Sequence, residues 1–68
     1  MHISERTATV PVADGTYIVT NLDTSVCIRL DGPAALLWRE CTQREVVDVP
    51  GEQQAIALAL LEQGFLVA

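Results

Sequence analysis

Ser25-Val26-Cys27-Ile28-Arg29-Leu30-Asp31-Gly32-Pro33-Ala34-Ala35-Leu36-Leu37-Trp38 is the stretch that decides how this chain folds. Val26, Ile28 and Leu30 alternate with Cys27 and Arg29, the period of two that gives a strand one buried face. Asp31-Gly32-Pro33 breaks that period. Proline suits a first helical position, where its missing N–H would have no partner, and Gly32 or Asp31 supplies the cap ahead of it. Ala34, Leu37, Trp38 and Cys41 then fall three and four apart, on one helical stripe. A strand therefore feeds directly into a Trp-bearing helix, roughly Pro33 to Cys41, and the rest of the chain has to cover both.

Upstream, Thr7-Ala8-Thr9-Val10-Pro11-Val12 is a β-former run whose proline suits an edge strand, because proline cannot donate to a ladder on both sides. Ala13-Asp14-Gly15-Thr16 is a turn, with Asp-Gly as its signal. Tyr17-Ile18-Val19-Thr20-Asn21 is the clearest strand-forming run, and Asn21 to Ser25 is a short polar loop around Leu22. Three strands joined this way form an antiparallel meander. Val26 to Leu30 is its last strand, and an edge unless something covers it.

Downstream, Thr42 to Val49 combines β-branched residues with a polar start, and reads as a short helical turn or an irregular linker stopped by Pro50-Gly51. From Glu52 to Gln63 the chain is helical, with Gly64 as a left-handed cap. Ala55 to Leu61 is apolar throughout, and Ile56 and Leu60 lie nearly opposite Leu58 and Leu61. One side faces the core; the other is covered by the tail Phe65-Leu66-Val67 or left as an apolar groove for a partner. The fold class is α+β, a three-stranded antiparallel sheet followed by helices, in one domain over residues 1–68.

Composition narrows the function. Nine acidic residues against four arginines and no lysine give a net charge of −5. Nucleic-acid binding needs clustered positive charge, so nucleic acid is not expected as a partner, and a DNA-binding regulator is disfavoured. No apolar run approaches the ~20 residues that span a bilayer, and the first residues lack the features of a signal peptide, which points to the cytoplasm and away from membranes. Cys27 and Cys41 have no metal-ligand spacing and read as buried or half-buried thiols acting as small apolar groups; His2 sits in a frayed N-terminus. No Ser-His-acid or Cys-His set can form with the only histidine at position 2. The four glycines are scattered, and the carboxylates have the spacing of a solvated surface. No catalytic residue, metal or cofactor is expected, and the chain is not expected to be an enzyme. Recognition remains, since a free strand edge beside an apolar helix captures an extended peptide. An oligomerisation module, with the groove filled by a second copy, is the rival.

The order of three short patterns carries a resemblance. Tyr17-Ile18-Val19-Thr20-Asn21-Leu22, then Ile28 to Trp38, then Leu60-Leu61-Glu62-Gln63-Gly64-Phe65-Leu66, resemble the PqqD-like family, the precursor-peptide recognition elements of ribosomally made, post-translationally modified peptides. The match runs from about Thr7 to the end and is most similar to the small stand-alone leader-binding proteins of lasso-peptide clusters. The family usually enters its first helix through a Leu-Asn-Pro-Thr-type stretch, whereas Leu30-Asp31-Gly32-Pro33 keeps cap and proline shifted by one. The resemblance implies a winged-helix-like fold with a helical bundle. It implies that a precursor leader peptide adds as a strand along Val26, Cys27, Ile28, Arg29 and Leu30, with Gln54, Ala57, Leu58 and Leu61 as the groove wall. It further implies a Tyr-x-x-Pro element in the leader, delivery to a leader peptidase of the cysteine-protease type, and Arg29 paired with a leader carboxylate or left as a solvated arginine. A peptide chaperone for a radical modifying enzyme shares the same pattern.

Overall fold

A computed structural model describes residues 1–68 as an α+β chain of two helices and two antiparallel sheets. The elements in order are β1 (His2–Ile3), β2 (Thr7–Val12), β3 (Thr16–Asn21), β4 (Cys27–Leu30), α1 (Gly32–Gln43), α2 (Gly51–Glu62) and β5 (Leu66–Val67). The expected meander is present as the sheet β2-β3-β4. Asp14 and Gly15 make its first turn possible by taking left-handed backbone, with φ of 66° and 73°. Val26 falls just outside the last strand, directly after Ser25, whose φ is 63°.

Alternation sorts the sheet into two faces. Val19, opposite Ile28, and Leu30, opposite Tyr17, turn inward. There they meet Leu37, Trp38 and Cys41 from α1 and Ala57 and Leu60 from α2. Trp38 is fully buried, and its indole Nε1–H donates to Thr9 Oγ1 at 3.3 Å, so the largest side chain is tied to β2 as well as packed. Cys27 and Arg29 stay exposed on the outer face, as the period of two requires.

α1 runs two residues beyond Cys41, and residues 44–50 form an irregular linker to α2. Val46 pins this linker by burying its side chain in the core and exchanging backbone bonds with Met1: Val46 N–H donates to Met1 C=O at 2.9 Å, and Met1 N donates to Val46 C=O at 2.6 Å. The N-terminus is therefore not frayed. His2–Ile3 pairs with Leu66–Val67, and Met1 and Ile3 pack against the core. His2 remains exposed, 3.5 Å from Glu45. Two-residue strands are too short to show a period, which is why the sequence pattern misses them.

The tail folds back as expected, with Phe65 and Leu66 buried and β5 against β1. Gly64, at φ of 80°, makes the reversal. Phe65 N–H donates to Leu60 C=O at 2.9 Å and Gly64 N–H to Leu61 C=O at 3.2 Å, the paired bonds of a Schellman cap.

The two thiols are sorted by the fold. Cys41 is buried as expected, but Cys27 is exposed, because strand alternation sets it on the outer face with Arg29. Burial pushes the Cys41 thiol above its ordinary value of 9.0, a shift that Glu40 adds to and that the N-terminal charge and Arg44 oppose. The native state therefore holds this proton more tightly than the unfolded chain. The resulting stability is whole below about pH 9 and is lost as pH climbs through the raised native value. At neutral pH, an aromatic disulfide reagent is expected to modify one thiol rapidly and the second only after urea unfolds the chain; two equally fast thiols would contradict the packing of Cys41.

Candidate functional site

The three-stranded sheet has two edges of opposite chemistry. In an antiparallel ladder, successive residues of a strand direct their N–H and C=O alternately to the two sides. Two bonds framing the sheet set the phase: Leu22 N–H donates to Arg6 C=O, and Asn21 N–H to Val26 C=O, each at 2.8 Å. Carried along the register, Ala8, Val10 and Val12 of β2 and Ile28 and Leu30 of β4 bond to β3. Thr7, Thr9 and Pro11 therefore face outward on one edge, and Cys27 and Arg29 on the other.

The β2 edge is blunted. Pro11 has no N–H, and Thr7 N–H is taken by Ser4 C=O at 3.1 Å, so only Thr9 keeps an outward donor. The β4 edge is intact. Cys27 and Arg29 each present both backbone groups outward, about 7 Å apart along the strand, with no strand beyond them. Four ladder bonds are on offer there, each worth about 1 kcal/mol net when made.

Two side-chain bonds tie α2 to residues that flank this edge. Gln53 Nε2 donates to Pro33 C=O at 3.0 Å, just past the end of β4, and Asn21 Nδ2 donates to Gln63 C=O at 2.8 Å, beside its start. Asn21 carries a structural role beside this edge that pattern reading misses. It is 5% exposed, and its Oδ1 also accepts from Asp23 N–H at 2.9 Å and Thr24 N–H at 3.2 Å. Its backbone C=O accepts from Ser25 N–H at 2.8 Å. The one available signal is an amide side chain at a strand end followed by Asp23-Thr24, the composition of an Asx turn.

The expected binding residues fall in two places. Cys27, Ile28, Arg29 and Leu30 form β4, with Val26 preceding it and spending its carbonyl on Asn21. Gln54, Ala57, Leu58 and Leu61 come together around an apolar hollow of about 250 Å³, closed on its other side by Met1 and Val49. No residue of β4 lines that hollow. Leu58 is 58% exposed beside it, so the Phe65 tail leaves this flank of α2 uncovered. A larger hollow of about 510 Å³ lies between α1 and the linker, but its charges sit close together, with Glu40 Oε2 bonded to Arg44 Nε at 3.2 Å, and it has few apolar walls. No three His, Cys, Asp or Glu side chains gather as a metal ion would need, and no helix is long and apolar enough to cross a membrane.

No protein-family model matches this chain, and comparison with curated proteins and with solved structures finds no similar one.

Proposed function

We propose that this chain is a precursor-peptide recognition element of the PqqD-like kind, a winged-helix-like adaptor with no chemistry of its own. It takes up the leader of a precursor peptide as a fourth strand on β4 and delivers it, in the cytoplasm, to a leader peptidase of the cysteine-protease type. The observation that supports this reading is the contrast between the two edges: proline and a local bond blunt β2, while Cys27 and Arg29 leave two adjacent outward N–H and C=O pairs on β4. Strand addition uses such groups for affinity and neighbouring side chains for choice. The hollow of Gln54, Ala57, Leu58 and Leu61 offers the leader's apolar side chains a seat beyond the ladder.

A proline placed by phase tests this. Arg29→Pro removes an outward donor and spares the bonds to β3, as Pro11 does on the other edge, whereas Ile28→Pro breaks a bond to β3. With a fluorescent synthetic leader carrying Tyr-x-x-Pro, Arg29→Pro is expected to keep the wild-type circular dichroism and to lose about tenfold in affinity, about 1.4 kcal/mol. Unchanged affinity in the folded variant would reject capture at this edge. A concentration-dependent rise in mass that the leader does not reverse would favour the oligomerisation module instead.

A further inference from the structure

Strand alternation puts positions 8, 10, 12, 16, 18, 20, 27 and 29 on the outer face of the three-stranded sheet, and Arg29 is the only charge among them. Its cross-strand neighbour is Ile18, beyond which lies Val10, itself 55% exposed. Arg6 is bonded to Asp23 at 3.0 Å and Arg44 to Glu40 at 3.2 Å, but Arg29 has no carboxylate within ion-pair reach, although the chain carries nine. An unpaired guanidinium on an apolar face thus stands at an outward-bonding position of the open edge.

Resting on the reading of β4 as a peptide-capturing edge, we infer that Arg29 selects the peptide: the residue of the added strand that stands across from it is aspartate or glutamate, flanked on both sides by apolar residues. Directly opposed side chains on one sheet face have Cβ atoms about 5 Å apart, within reach of an Arg–carboxylate bond. A lysine or arginine at that position meets a like charge. The flanking residues turn to the inner face, where half-buried Ile28 and the edge of the core favour apolar groups. The class of ligand is therefore an extended peptide with one acidic residue set between apolar ones.

The test walks Glu, and separately Gln, through each position of a synthetic Tyr-x-x-Pro leader and measures affinity for the wild type and for Arg29→Gln. Glu and Gln have nearly the same shape, so only charge differs. At one position the Glu peptide is expected to bind about 1.4- to fivefold tighter than its Gln twin, the range for an exposed ion pair, with the preference abolished in Arg29→Gln and reduced at high salt. If no position distinguishes Glu from Gln, or the preference survives in Arg29→Gln, while the Cys27 and Arg29 amides still shift on binding, selection by Arg29 is overturned and capture stands. If no peptide binds and these amides stay put, capture and selection fall together.

Discussion

Trp38→Ala is expected to leave the chain unfolded at room temperature. Trp38 has no exposed surface and sits where α1 meets the sheet, packed with Val19, Leu37, Cys41 and Phe65 in the same buried cluster. Truncating a buried aromatic costs about 3–5 kcal/mol, through lost burial and the cavity left behind. Here the substitution also removes the donor to Thr9 Oγ1, which leaves β2 without its side-chain tie to α1. A domain of this size has a total stability of roughly 3–10 kcal/mol, so the loss takes most of it. Far-UV circular dichroism should show the helical signal collapsed and urea titration no cooperative transition. A variant that keeps a sharp urea transition with a midpoint close to that of the wild type would mean that the core does not depend on Trp38.

Asn21→Ala is expected to cost about 2–4 kcal/mol, the second largest effect of any single change considered. The alanine strands three groups at once: the N–H groups of Asp23 and Thr24, which lose Oδ1, and the C=O of Gln63, which loses Nδ2. Groups left unpaired in a part-buried site cost about 1–3 kcal/mol each before water reaches them. Two elements loosen together, the turn that delivers the chain to β4 and the C-terminal cap of α2. The neighbourhood is tight from the other side as well, since a Cβ on Gly64 would stand 3.0 Å from Asn21 Nδ2, at a φ of 80° that L residues avoid. Asn21→Ala and Gly64→Ala should therefore be non-additive when combined, because the first makes room for the second. Chemical denaturation of the two single variants and the double one measures this; full additivity would show that the two residues act apart.

Much of this architecture is legible in the residues because the signals are local. The alternation at Ile28 to Leu30, the break at Asp31-Gly32-Pro33 and the three-four spacing of Leu37, Trp38 and Cys41 each mark their element, and all appear where they point. The sequence also marks Pro11 as an edge residue. What it leaves hidden is long-range. Pairing of His2–Ile3 with Leu66–Val67 and the Met1–Val46 bonds join residues more than forty apart, through strands too short to carry a period. Asn21 looks like one more polar loop residue until Gln63 is seen beside it. The site is legible in part for the same reason. Residue order points to β4 and to one flank of α2 as candidates, but which backbone groups face outward depends on the phase of the ladder. Which residues close the hollow likewise depends on where Met1 and Val49 come to lie.

The edge contrast also bears on how exposed so small a sheet is to indiscriminate pairing. An open edge invites aggregation, and the chain limits the invitation to two residues on a four-residue strand, one of them charged.

The measurement that tests the central claim most directly is an amide NMR titration of the labelled chain with the synthetic Tyr-x-x-Pro leader. Capture on β4 predicts the largest shifts, and new protection from solvent exchange, at the amides of Cys27 and Arg29, smaller shifts along Gln54 to Leu61, and little change at Thr9 on the opposite edge. Binding that leaves Cys27 and Arg29 exchanging freely while amides elsewhere move would contradict it.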